Sequence, residues 1–289
     1  MSAFRRQTAK DGIGAFMVHC LWSIVASAST QEISMVAIDT VGADEAQWQS
    51  WREDGYVVVE NAVSGDDLSR LQKAFDEGVE AAKPTWLANV AAGHQSSAFM
   101  DIPDPFEQDE AFLDMVDHPS TLGILRDFLG EDMLARGVTV RAVPQSPISY
   151  VGWHPDMHRD SFPLHIKVQT YVNDVGEERG AFAYVPGSQK EGAGPYPRVK
   201  RLDAMPGIKP LPGKAGTAII FNCYGWHTAL INRTTTPRKS LISSYCVFNE
   251  LKDQYSKRGP EWTESREKLK KLLSRERESL FGFGRIPEE

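Results

Sequence analysis

Cysteine is scarce in this 289-residue sequence: Cys20, Cys223 and Cys246 form no CxxC pair, and the last two lie in apolar segments where a thiol packs as a small hydrophobe. Nothing in that pattern demands an oxidising compartment, and no cysteine cluster exists to build a structural zinc site. Long apolar runs are missing too. No stretch reaches the ~18 to 20 uninterrupted apolar residues of a membrane span. A cationic stripe is also absent, because Lys and Arg are scattered and the formal net charge is −7, so the electrostatic footprint of a nucleic-acid binder is lacking. There is no internal repeat and no sign of a second domain. With 41% hydrophobic residues the chain can still bury a sizeable core. The expectation is a cytoplasmic protein acting on a small molecule, with neither nucleic acid nor membrane as partner and a homodimer as the possible assembly.

Residues 1–40 read as an N-terminal extension. Arg5, Arg6 and Lys10 precede an apolar run from Ile13 to Ala28, an outline similar to a secretory signal, but His19 and Ser23 interrupt it and Asp11 lies near its start. A disordered extension or an early start codon, with Met17 or Met35 as later candidates, fits the same residues. From residue 41 to 289 one domain is expected. A short helix opens near Asp44, Tyr56–Val59 reads as a strand, and Ser64 can cap a helix with Leu68, Leu71, Phe75 and Val79 at helical spacing. Residues 83–107 lack a sustained period and read as a long irregular connection of the kind that forms lids. A helix pair follows, divided at His118-Pro119 and stopped by Gly130.

Beyond Gly130 the texture changes to short strand-like runs: Val138–Val143, Ile148–Trp153, Ile166–Val172, Ala181–Val185, Thr217–Cys223 and Leu241–Phe248. Six such runs separated by Gly, Pro and Asn indicate a sandwich or barrel of antiparallel strands. A charged helix, Glu261–Leu280, closes the chain.

The chemistry concentrates in Trp153-His154-Pro155-Asp156-Met157-His158-Arg159-Asp160, which contains His-x-Asp twice. In extended chain, residues i and i+2 share a side, so an imidazole and a carboxylate can converge on a metal. A third ligand must come from elsewhere. Of seven histidines, His227 follows a strong strand signal, Thr217–Phe221, with a turn at Gly225. Two His and one carboxylate leave three positions of an iron(II) ion open, enough for a bidentate 2-oxoacid and dioxygen. Arg238 stands eleven positions after His227, two before Ser240, and its forked donors suit the distal carboxylate of such a co-substrate.

The ordered set of Asp54-Gly55-Tyr56, His118-Pro119, His-x-Asp, Glu177-Glu178-Arg179-Gly180, Val185-Pro186-Gly187-Ser188, then His227, Asn232 and Arg238 resembles the phytanoyl-CoA dioxygenase family over roughly residues 50 to 250. The resemblance implies a mostly β fold with flanking helices, built on a double-stranded β-helix (jelly-roll, cupin-like) core. It also implies iron(II) at the barrel mouth, with oxidative decarboxylation of 2-oxoglutarate by O2 to succinate and CO2. Carried over by position, His154, Asp156 and His227 match the iron ligands and Arg238 the arginine on the co-substrate's C5 carboxylate, with Ser240 assisting. Gln169, where many members have Trp, could hydrogen-bond the C1 carboxylate. Trp153 before His154, and the 26 residues from His154 to Gly180 rather than 22 from His158, favour the first His-x-Asp. His158, Arg159, Tyr224 and Trp226 are then substrate candidates, although a solvated loop or core packing fits them as well. Lys167 and His165 are expected on an outward face, Lys167 near Glu177 and Glu178. A carboxylate at Asp156 argues against halogenation, since family halogenases have a small residue there. The sequence departs from the family at Gln189, where members usually have His, and the family's type substrate is not implied. The competing readings are a zinc hydrolase using His154, Asp156 and His158, and a non-catalytic jelly-roll binding module.

Overall fold

Two antiparallel sheets carry the fold in the computed structural model, which describes residues 40–160, 164–247 and 260–285. The N-terminal extension expected over residues 1–40 lies, apart from residue 40, outside them. The larger sheet has six strands in the order β1 (Tyr56–Val59), β7 (Ala218–Asn222), β4 (His165–Tyr171), β9 (Arg238–Val247), β3 (Met133–Val143) and β2 (Met100–Asp101). The smaller has three, β6 (Lys209–Leu211), β5 (Phe182–Tyr184) and β8 (His227–Ala229). Adjacent strands are far apart in sequence, as a jelly roll requires.

The two-residue side-chain period of a strand divides each surface by destination. Ile166 and Val168 of β4, with Ala218 and Ile220 of β7, turn towards the helices and join Trp51, Leu122, Leu125 and Tyr245 in one core cluster. The alternate residues Tyr171, Ile219 and Phe221 turn the other way and pack on Phe182, Tyr184 and Leu211 of the smaller sheet. Helices α1 (Glu45–Glu53), α2 (Gly65–Ala91), α3 (Pro105–Gln108), α4 (Glu110–Asp114) and α5 (Pro119–Leu129) complete the shell. The α1 start is a capping box: Asp44 accepts from the Gln47 amide while the Gln47 side chain accepts from the Asp44 amide.

Three expectations need correction. The irregular segment over 83–107 is helical as far as Ala91, through Pro84. A proline inside a helix costs ~3 kcal/mol, but Val79, Ala82 and Trp86 pack on the second core cluster and Trp86 Nε1 donates to Phe99 O at 2.8 Å, fixing the far end of the helix. The strand expected at Ile148–Trp153 does not form. Side chains take ladder positions instead: Ser149 Oγ donates to Ala229 O at 2.7 Å and Thr228 Oγ1 to Val151 O at 3.1 Å. The closing helix is divided into Pro260–Leu272 and Arg275–Leu280, with Leu269 and Leu273 packing on the main core.

Candidate metal centre and co-substrate pocket

His154 and His227 are brought together by backbone, not by side-chain attraction. An isolated bridge joins the two residues, His154 N–H donating to His227 O at 3.2 Å and His227 N–H to His154 O at 3.0 Å. Asp156 is then held by its amide, which donates to Cys223 O at 2.9 Å at the end of β7. The ligand atoms of His154, Asp156 and His227 all lie within 4.8 Å of one another. His158 and Asp160 are exposed and stand outside the cluster, so the described residues do not gather the His154, Asp156, His158 set that the hydrolase reading needs.

The tautomers are set from behind. His154 Nδ1 lies 2.9 Å from Gly152 O and His227 Nδ1 3.0 Å from Gly225 O. Each ring therefore donates from Nδ1, leaving an Nε2 lone pair turned inward. His227 Nε2 is 3.3 Å from Asp156 Oδ2, a buried atom without a hydrogen-bond partner. Lone pairs facing each other at that distance repel unless a cation or a proton lies between them, so these donors fit a divalent metal. Contacts with His154, His227 and Lys167 outweigh the burial that would raise Asp156 and hold its carboxyl well below the usual range. The Asp156 contact likewise raises His154 against the lowering effect of its own burial.

Lys167 corrects an expectation. Its Nζ lies 3.0 Å from Asp156 Oδ1, on the inner face of β4 rather than outward near Glu177 and Glu178. The carboxylate is thus divided: Oδ1 faces Lys167 and lies 3.7 Å from His154 Nε2, while Oδ2 faces His227 Nε2.

Strand register extends the site inward. Tyr171 pairs with Ser240 and Gln169 with Ile242, while Ser240 also pairs with Arg141 of β3. These side chains share one face, with Arg238 two residues further along β9. Arg238 is fully buried; its Nη1 donates to Gly180 O at 2.6 Å and its Nη2 to Tyr150 Oη at 3.2 Å. Arg238 Nε, Ser240 Oγ and Gln169 Nε2 are buried without partners. Buried polar atoms are rarely left so, and three along one face mark a place for a polar guest such as a dicarboxylate.

Tyr150 and Arg141 were not legible as site residues. Arg141 grips Asp101 with two bonds, 2.6 and 2.7 Å, and its guanidinium lies 4.7 Å from the Tyr150 ring centroid. Burial alone would raise the Tyr150 phenol, but Arg238 and Arg141 prevail and lower it. The available signal was a charged residue inside the apolar run Val138–Val143. Of the remaining candidates, Arg159 donates to Gln189 O at 2.6 Å and stacks on Tyr224, with 4.6 Å to the ring centroid. The Trp226 ring packs on Tyr196, and His165 is buried.

Fold and site together define an iron(II)- and 2-oxoglutarate-dependent oxygenase of jelly-roll type that uses O2. The family model for phytanoyl-CoA dioxygenase matches residues 51–240, and the chain belongs to that family. Among curated relatives, ectoine dioxygenase of Streptomyces coelicolor is 22% identical over 233 residues, 71% of this chain and 77% of that protein. L-proline trans-4-hydroxylase of Streptomyces griseoviridis is 22% identical over 224 residues, 66% of this chain and 82% of that protein. Among solved structures, HygX from Streptomyces hygroscopicus with nickel, 2-oxoglutarate and hygromycin B bound superposes with a TM-score of 0.56 at 15% identity, covering 71% of this chain and 88% of its own. The carbocyclase SnoK from nogalamycin biosynthesis gives 0.55 at 18%, covering 71% and 84%. These likenesses show the shared fold.

Proposed function

We propose that His154, Asp156 and His227 hold iron(II), that Arg238 with Ser240 and Gln169 holds 2-oxoglutarate, and that the protein oxidises a C–H bond of a compact small molecule in secondary metabolism, acting in the cytoplasm. The observation that carries this reading is the convergence of the His154 and His227 rings on Asp156, whose Oδ2 is buried without a partner, on the same inner face as the partnerless Arg238, Ser240 and Gln169 atoms. The names of the relatives, an ectoine dioxygenase, a proline hydroxylase and a carbocyclase from nogalamycin biosynthesis, support the small-molecule class.

Iron bound there would supply oxygen activation coupled to decarboxylation of the co-substrate; the protein's own residues do the rest. Gly152 O and Gly225 O keep both imidazoles in the ligating tautomer. Lys167 orients Asp156 through Oδ1. Arg238, buried against Gly180 O and Tyr150, provides a fixed cation for the distal carboxylate, and a bond made to such a charge contributes ~1.5–3 kcal/mol. Phe182 and Phe221, with ring centroids 5.5 and 4.9 Å from that of His227, keep water from one side of the site. Arg159, Tyr224 and Trp226, with exposed His158, are proposed as the rim past which substrate enters.

The test is succinate formation with each variant under saturating iron. His227→Ala should abolish it, Arg238→Ala should raise the KM for 2-oxoglutarate by about 10- to 150-fold, and His158→Ala should retain it. Native 2-oxoglutarate consumption by His227→Ala would sink the assignment. Activity without O2 and 2-oxoglutarate, lost in His158→Ala, would favour the hydrolase.

A further inference from the structure

Tyr150 lies in the stretch where the expected strand is missing, between Ser149 and Val151, which are tied to β8 by hydroxyl hydrogen bonds. Its ring is fixed by stacking instead. The Arg141 guanidinium lies against two rings, 4.4 Å from the Phe99 centroid and 4.7 Å from that of Tyr150, and two bonds of 2.6 and 2.7 Å hold it to Asp101. Arg141 pairs with Ser240 across β3 and β9, so this stack stands on the inner face at the deep end of the site, beside Arg238.

The donors and acceptors there leave one proton unassigned. The Tyr150 hydroxyl accepts from Arg238 Nη2 at 3.2 Å, and among the described residues it donates to no acceptor. Guanidinium groups have no acceptor, so neither arginine can receive the phenol proton. Tyr171 Oη, the neighbouring hydroxyl, already donates to Leu211 O and accepts from Phe182 N. Arg141 is balanced by Asp101, but Arg238 is fully buried on two neutral oxygens, Gly180 O and Tyr150 Oη, with no carboxylate in ion-pair contact among the described residues. A buried cation with neutral partners alone calls for an anion, and the undirected phenol proton stands beside it.

We propose that Tyr150 binds the distal carboxylate of 2-oxoglutarate, donating its phenol proton beside Arg238, and that Arg141 is a positioning residue that acts through Tyr150. This rests on the co-substrate reading above and extends it from Arg238 and Ser240 to a residue outside the motifs of the sequence. Burial would raise the phenol, and the two arginines outweigh it, which makes its O–H a stronger donor than that of an ordinary tyrosine. The stack on Arg141 holds the ring in place before the co-substrate arrives, so little side-chain freedom is lost on binding.

The experiment is a titration of the anaerobic full-length protein loaded with Mn(II), followed by water-proton relaxation, because a 2-oxo acid that chelates the metal displaces bound water and lowers the enhancement. The probes are 2-oxoglutarate and 2-oxobutyrate, which has the same 2-oxo acid end without the distal carboxylate. Tyr150→Phe, which keeps the ring against Arg141, should raise the Kd for 2-oxoglutarate about tenfold or more, as loss of a hydrogen bond to a charged group requires, and leave that for 2-oxobutyrate unchanged. Arg141→Met should raise the 2-oxoglutarate Kd in the wild-type background and add nothing further to Tyr150→Phe, the non-additivity of a residue that acts through another. An unchanged 2-oxoglutarate Kd in Tyr150→Phe overturns the proposal, and so does equal weakening of both acids, which a purely structural tyrosine would give. No effect of Arg141→Met, or full additivity with Tyr150→Phe, overturns the role of Arg141. Wild type that fails to bind Mn(II) would strike the metal reading instead, and wild type that binds both acids equally would strike the co-substrate reading.

Discussion

Gly225→Ala is the sharpest perturbation available at the centre, because the space a Cβ would occupy already belongs to another residue. A Cβ built there would lie 1.6 Å from Tyr184 Oη and 2.1 Å from its Cζ, and reaching an ordinary contact of 3.4 Å demands a retreat of about 1.8 Å. Tyr184 is fully buried and its hydroxyl donates to Asn222 O at 2.9 Å. The ring cannot retreat without breaking that bond, at ~1–3 kcal/mol for a buried unsatisfied group, and overpacking adds ~1–3 kcal/mol. The sum, ~2–6 kcal/mol, is a large part of the ~5–15 kcal/mol that holds a domain folded, and at ~2–4 °C per kcal/mol the melting midpoint should fall by roughly 5–20 °C. If the turn yields instead, Gly225 O moves away from His227 Nδ1, and disturbing a partner of a ligating histidine costs ~10–100-fold in metal affinity. Calorimetry and anaerobic equilibrium dialysis with iron(II), run below the variant's midpoint, separate the two effects. Gly176→Ala is the control, since a Cβ there meets nothing within 4 Å. Native melting and native iron affinity in Gly225→Ala would refute the reasoning.

Two further outcomes follow from buried polar groups. Asn232 is buried and its Nδ2 donates to Val143 O and Thr236 O, both at 2.9 Å, while its Oδ1 accepts from Thr234 N and Oγ1 at 3.0 and 2.8 Å. Asn232→Ala should cost ~2–4 kcal/mol in urea unfolding and, by loosening the loop that leads into Arg238, raise the KM for 2-oxoglutarate; an unchanged KM would separate the loop from the site. His118 caps α5 as a neutral ring, 2.8 Å from Ser120 Oγ and accepting from the Ser120 amide. Burial lowers its pKa, against the opposing pull of Asp67. Its folded pKa lies below the unfolded value, so its stabilising contribution is complete above about pH 6.5 and is lost as pH falls through the folded value. Urea midpoints at pH 7.5 and 5.5 should therefore drop more for wild type than for His118→Asn, whose amide caps at both; equal drops would deny His118 that role.

Local rules made much of the fold readable. Asp44-Glu45-Ala46-Gln47 carries its own capping box, and Ile166-Lys167-Val168-Gln169 shows the alternation of a strand with two different faces. The same rules failed where packing overrides propensity: Pro84 should end α2, but the burial of Trp86 holds the helix together. They failed again at Ile148–Trp153, where side-chain hydroxyls, invisible to a periodicity argument, replace backbone ladder partners.

For the site, the residue types and order determined the family and the chemistry: His-x-Asp, a later His, and an arginine eleven positions beyond. Spacing left two His-x-Asp pairs equivalent, and the physical difference is tertiary. Of the two pairs, it is the first whose histidine is bridged to the His227 backbone and whose aspartate amide donates to Cys223 O, and among the described residues that pair converges with His227. The inward turn of Lys167 and the place of Arg141 in the Tyr150–Arg141 wall were likewise decided by the register among β3, β9 and β4. Pairing between strands a hundred residues apart is a long-range property, and no local pattern in the chain encodes which residue will stand opposite which.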